Sequence, residues 1–126
     1  MNWTLDIEQQ RQVLVHAEQL REQLIAAHHR AKHKPLIALL NAPDGATVAI
    51  GLGLERCVLN CIAAGGRPSR HATDDAAGDG LVQYTLAGQM SEVPLRGTVR
   101  FDDAVDTCVD FMKTGSISEK LTWEED

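Results

Sequence analysis

Hydrophobic positions along the chain change period several times, and each change marks an element. Met1, Trp3, Leu5 and Ile7 alternate with Asn2, Thr4 and Asp6, the period of two of a short strand. The spacing then lengthens. Ile7, Leu14, Ala17, Leu20, Leu24 and His28 are separated mostly by three and four, with Val13 and Ile25 flanking the stripe. That pattern predicts an amphipathic helix. It is expected to start between Asp6 and Glu8, with Asp6 as cap and Gln9 three residues on. Arg11, Glu18, Arg21 and Glu22 face solvent, and Pro35 ends the helix near Arg30 or Lys32.

Strand-sized apolar runs follow. Leu36-Ile37-Ala38-Leu39-Leu40 is a strand, Asn41-Ala42-Pro43-Asp44-Gly45 a turn, and Thr47 to Leu52 the returning strand. Gly53 to Glu55 turns again and Arg56 to Ile62 is the third member of an antiparallel meander. Ala64 to Ser69 is a loop, and so is the acidic run Asp74 to Gly80. Leu81 to Leu86 is a strand, Ala87-Gly88-Gln89 turns, and Met90 to Val93 is its hairpin mate. Ala104, Val105, Cys108, Val109 and Met112 stripe a second helix from about Asp102 to Lys113, flanked by Phe101 and Phe111. Asp102, Asp103 and Asp106 suit its N-terminal dipole, Lys113 its C-terminus, and Gly115 the left-handed position beyond. Glu119 to Glu124 is a last short strand around Leu121 and Trp123. The expected class is α+β, a mainly antiparallel sheet of about five to six strands with two helices packed on it. A length of 126 residues fits a single domain, 1–126.

Charge changes the picture. The net charge is −6, divided as +2 over residues 1–70 and −8 over 71–126. An acidic surface repels phosphate backbones, which argues against direct nucleic-acid binding and suits a basic protein partner. Three cysteines, Cys57, Cys61 and Cys108, form no complete disulfide set and read as buried thiols in a reducing cytoplasm. No signal peptide is visible, and no apolar run is long enough to span a membrane.

Catalytic and metal chemistry lacks its motifs. His29 and His33 share a helix face but lack third and fourth zinc ligands. Gly51-Leu52-Gly53 lacks the further glycines and following helix of a phosphate loop. Asp74, Asp75 and Asp79 lack the ligand alternation of a calcium loop. Ser69 and His71 lie near Asp74 without a nucleophile elbow. No cofactor is expected. Trp123 either closes the core or anchors a partner; Tyr84 is strand core or a second aromatic anchor. Glu124, Glu125 and Asp126 form a terminal acidic run that, with Asp74, Asp75, Asp79 and Glu92, is the candidate binding surface.

Several segments together resemble the Imm1 family of bacterial immunity proteins. They are Gly51-Leu52-Gly53 through Leu59, the hairpin Gly88-Gln89-Met90-Ser91-Glu92-Val93-Pro94, and the helix start Asp102-Asp103-Ala104. Phe111 with Thr114-Gly115, and Leu121-Thr122-Trp123-Glu124-Glu125-Asp126, complete the set. The resemblance covers residues 36–126. The family hairpin usually carries aromatic residues where Met90 and Val93 stand here. The resemblance implies a cytoplasmic antidote from a polymorphic toxin system. Such a protein binds a toxin domain, many of which are nucleic-acid deaminases or nucleases, and blocks it stoichiometrically. It implies a monomer that forms a heterodimer with a basic toxin. Two other readings stay open: a small enzyme that reverses toxin damage, and a homo-oligomeric structural or adaptor protein.

Overall fold

In the computed structural model, which describes residues 2–66, 68–86 and 89–126, the chain opens with a hairpin. Expectations for Met1, Arg67 and the Ala87–Gly88 turn lie outside the described residues. Glu8 and Gln9 adopt φ of 49° and 68°, the left-handed pair that a two-residue hairpin turn needs. They join β1 (Trp3–Ile7) to β2 (Gln10–Leu14) in antiparallel register, Ile7 opposite Gln10. The expected helix start at Asp6 to Glu8 is thereby corrected: α1 spans Ala17–Arg30. Asp6 does not cap a helix, because its carboxylate accepts two hydrogen bonds from Arg11 across the turn, at 2.8 and 2.9 Å. The cap is His16, whose Nδ1 accepts from the Gln19 N–H at 3.1 Å. Gln19 Oε1 in turn accepts from the Val15 N–H at 2.8 Å, a variant of the capping box.

The remaining elements are β3 (Leu36–Asn41), β4 (Thr47–Leu52), β5 (Arg56–Cys57), β6 (Leu59–Ile62), β7 (Ser69–Thr73), β8 (Leu81–Leu86), β9 (Gln89–Pro94), β10 (Val99–Arg100), α2 (Phe101–Thr114) and β11 (Thr122–Glu125). The main sheet runs β11-β7-β6-β4-β3-β1-β2, each neighbour antiparallel. β8 joins β3 at one parallel position, Leu36 opposite Thr85, and carries β9. β5 and β10 pair separately. The class is α+β with two helices, as expected, but the strands number eleven among the described residues, not five to six. Polar sequences conceal β2 (Gln10-Arg11-Gln12) and β7 (Ser69-Arg70-His71), whose pairing is set by neighbouring strands. The expected strand 56–62 breaks at Val58, whose carbonyl accepts from the Gly51 N–H at 2.9 Å while Cys57 turns aside to pair with Val99.

The helices cover one face of the sheet. Leu20, Leu24 and Ala27 of α1, with Ala104, Cys108 and Val109 of α2, are buried against Ala38, Leu40, Val48, Ile50 and Leu59. An Arg21–Asp106 ion pair at 2.9 Å links the two helices, and Trp3 meets Phe111 edge-on at 5.1 Å. His28 joins three elements. Its Nδ1 accepts from the Gly53 N–H at 2.9 Å, and its ring stacks on Phe101 at 3.7 Å, tilted by 9°. Burial, with help from nearby His29 and Lys32, holds the His28 pKa below the ordinary histidine value. The Gly51-Leu52-Gly53 run is explained by packing. A Cβ on Gly51 would sit 2.6 Å from the Tyr84 ring, and one on Gly53 (φ +104°) would overlap the Ala31 carbonyl.

Two outcomes follow from these contacts. Gly51→Ala should destabilise the protein by about 1–3 kcal/mol, the usual cost of overpacking. A thermal-melt cycle with Tyr84→Leu should show strong coupling, the double variant losing less than the sum of the singles. His28 has a depressed folded pKa, so its contribution to stability is complete above the unfolded value near 6.5 and is lost as pH falls through the folded value. Wild-type stability should therefore gain an acid-side slope below about pH 6.5 that His28→Asn, which keeps an acceptor for Gly53, lacks. Urea midpoints between pH 7.5 and 5 would measure it.

Candidate functional site

Strand alternation sends the other half of the sheet residues away from the helices. Ile37 and Leu39 of β3, Ala49 of β4 and Ile62 of β6 lie half-buried on this open face, beside His71 and Thr73 of β7 and Glu124 of β11. An uncovered antiparallel face is ordinarily polar; here its centre is aliphatic.

The β8–β9 hairpin bounds that face at one end. The Thr85 N–H donates to the Pro35 carbonyl at 3.0 Å, and the Tyr84 hydroxyl donates to the Arg56 carbonyl at 2.8 Å. The Asp74 N–H donates to the Arg96 carbonyl at 2.8 Å. The hairpin thus reaches from the start of β3 to the end of β7, and Val93 and Pro94 stand as a wall. The resulting hollow measures about 710 Å³. A second hollow of about 710 Å³ opens towards the β1–β2 turn and shares Ile37 and Leu39 as floor.

The structure divides the nine residues expected at a binding surface. Asp75, Glu124 and Asp126 converge on the rim of the first hollow. Asp126 accepts from Ser69 Oγ at 2.5 Å, lies 2.5 Å from His71 Nδ1 and 3.4 Å from Asn60 Nδ2. The Ser69 hydroxyl, then His71, hold its carboxyl below the usual carboxylate range. Asp74 is structural: it caps the turn at Ala76 and accepts from Arg56 at 2.7 Å, which lowers its pKa. Asp79, almost fully exposed, pairs with Arg96 at 3.2 Å. Glu92 is exposed on β9 opposite Gln83.

The two aromatic candidates and Glu125 lie elsewhere. Trp123 sits opposite Ala72, on the helix side of the sheet. It is half-buried, donates from Nε1 to the Ser118 carbonyl at 3.0 Å, and has the Arg70 guanidinium 5.5 Å from its ring centre. Glu125, opposite Arg70, shares that end of the sheet. Tyr84 is corrected from possible anchor to core: 1% of it is exposed, and burial raises its pKa. Its ring is held against Gly51, so no face is left for a partner.

The floor residues Ile37, Leu39, Ala49 and Ile62 went unseen as site residues. Their signal is the unbroken apolar run Leu36–Leu40, since a strand with one solvated face would alternate. Ser69 and His71 both contact the Asp126 carboxylate, which makes that carboxylate a hub; no Ser69–His71 bond forms to make a nucleophile–base pair. Burial raises the thiol pKa values of all three cysteines, that of Cys57 to about 12, so they act as small apolar groups. Among the described residues no three His, Cys, Asp or Glu side chains are placed to hold a metal, and no helix is long and apolar enough to cross a membrane.

No curated protein matches the chain. The family described as immunity protein Imm1 matches residues 9–125, which takes in both helices, the floor of the open face, and rim residues Asp75 and Glu124. The chain belongs to the Imm1 family of immunity proteins.

Proposed function

We propose that this protein neutralises a cognate toxin domain by binding it one to one and covering its working surface, with no turnover and no cofactor. The observation that carries the reading is a set of carboxylates left without internal partners. Asp75, Glu92, Glu124 and Glu125 are exposed and make no ion pair among the described residues. They lie in the segment 71–126, which carries −8 of formal charge. Unpaired carboxylates on an acidic surface favour a basic partner. A toxin that acts on nucleic acid, a deaminase or nuclease, must present a basic cleft to a polyanion, so the two surfaces are complementary. Asp79 and Asp126 border the same region, and Trp123 backs it from the helix side. The whole chain then acts as one domain in the cytoplasm of the producing cell, monomeric alone and heterodimeric with its toxin.

Titrating the purified toxin domain encoded beside this chain should bring its activity linearly to zero at a one-to-one ratio. Light scattering should show a monomer alone and a heterodimer in the mixture. The association rate should fall by about tenfold or more when salt rises from about 0.05 to 0.5 M, as for steered encounters. Protection at far below one equivalent, with damage reversed after the toxin is removed, would establish an enzyme instead.

A further inference from the structure

We propose that the aliphatic floor of the open sheet face is the anchor site of the toxin interface, and that it receives a toxin loop presenting an apolar side chain flanked by lysine or arginine. This rests on the proposed function and names the part of the surface that supplies grip.

The floor and the rim differ in chemistry. Ile37 and Leu39 lie at the junction of two hollows of about 710 Å³ each, within the size range of ligand-binding clefts. Ala49 faces Leu39 in register and Ile62 continues the apolar surface on β6. Val93 and Pro94 close one end, so an incoming side chain meets a floor and a wall. Around this centre the rim is charged: Arg96, paired with Asp79, borders the first hollow, and Arg11, paired with Asp6, borders the second together with Lys34. On the β7–β11 side stand Asp75 and Glu124, neither engaged in an ion pair among the described residues. An apolar centre within a polar rim is the anatomy of a protein interface, in which central anchors dominate affinity and rim charges set the association rate.

The same observations weigh against other occupants. A second copy of this chain would bring Asp75 and Glu124 against an equally acidic molecule of net charge −6. A nucleic-acid strand would meet Asp75, Glu124 and Asp126 beside an aliphatic floor that, among the described residues, offers no Phe, Tyr or Trp ring on which bases stack, and the one arginine on that rim, Arg96, is paired with Asp79. The two hollows are open and both are lined by Ile37 and Leu39, a shape for a loop more than for an enclosed small molecule.

The test uses the full chain and the purified toxin domain encoded beside it. Ala49→Cys places a thiol on the floor, while the three native cysteines are buried. In a one-to-one mixture, maleimide alkylation of that introduced thiol should slow at least tenfold, and the alkylated protein should lose at least a hundredfold in toxin affinity. Leu39→Lys should weaken binding by at least a hundredfold, whereas Ile25→Lys, on the exposed side of α1, should leave it within twofold. Glu124→Lys should lower the association rate about tenfold and flatten its salt dependence. The alkylation rate of the Ala49→Cys variant does not depend on whether Leu39→Lys folds. If the Ala49→Cys variant neutralises the toxin while its introduced thiol reacts at the same rate free and bound, the floor is not the anchor and the proposed function stands. If the wild-type chain fails to bind that toxin at all, the proposed function falls first. Self-association of the wild-type chain that Leu39→Lys abolishes would assign the floor to a second copy and overturn the proposal.

Discussion

The Tyr84 ring packs on the bare backbone of Gly51, and much of the open face is organised by that one contact. β8 touches the main sheet at a single ladder position, Leu36 with Thr85, too little to fix a hairpin's direction. Tyr84 supplies the second point, because its ring occupies space that any Cβ at position 51 would fill and its hydroxyl holds the Arg56 carbonyl. Arg56 then extends the link. Its guanidinium donates to the Thr98 carbonyl at 2.9 Å and to Asp74 at 2.7 Å, while Thr98 Oγ1 donates to the Leu95 carbonyl. The wall formed by Val93 and Pro94 and the loop that carries Asp75 are positioned by one chain of contacts that begins at a glycine.

With that wall in place, the two faces of the sheet have different fates. One is closed by α1 and α2 through Leu20, Leu24, Val105 and Val109. The other keeps Ile37, Leu39 and Ile62 only half-covered. Each Å² of apolar surface left in water forgoes about 25 cal/mol of stabilisation, and polar side chains would fit an open face without that loss. Exposed aliphatic patches with polar rims are common at interaction sites, and the proposed anchor of the toxin interface lies on this one.

Much of this was legible in the sequence where one local rule dominated. α2 was, because an apolar stripe, an acidic start and Gly115 at φ +78° all agree. β3, β4 and β8 were, through apolar runs bounded by turn residues. The start of α1 was not. Glu8 and Gln9 take left-handed conformations without glycine, so the hairpin leaves no mark, and Leu14 fits a helical stripe as well as a strand. β7 was hidden for a related reason: Arg70 and His71 are strand residues because Glu125 and Glu124 stand opposite them, a pairing with the far end of the chain. The site divides along the same line. Carboxylates are visible from charge alone, whereas the fate of Tyr84 depends on Gly51, and the exposure of Leu39 depends on which face the helices choose.

Charge in the sequence also overstates what a partner meets. Several acidic groups in the C-terminal half are already engaged in ion pairs: Asp74 with Arg56, Asp79 with Arg96, Asp106 with Arg21 and Glu119 with Arg70. A carboxylate held in such a pair has part of its field cancelled, and a basic partner must displace the resident cation before it gains a direct contact. Asp75, Glu92, Glu124 and Glu125 carry no such cost, and two of them border the aliphatic floor. Long-range attraction draws on the whole excess of negative charge, but contact energy can come only from the free groups and the apolar surface beside them. In the proposed complex the division of labour is physical: the acidic half of the chain speeds the encounter, and the small region where free carboxylates meet Leu39 and Ile62 determines how long the complex lasts.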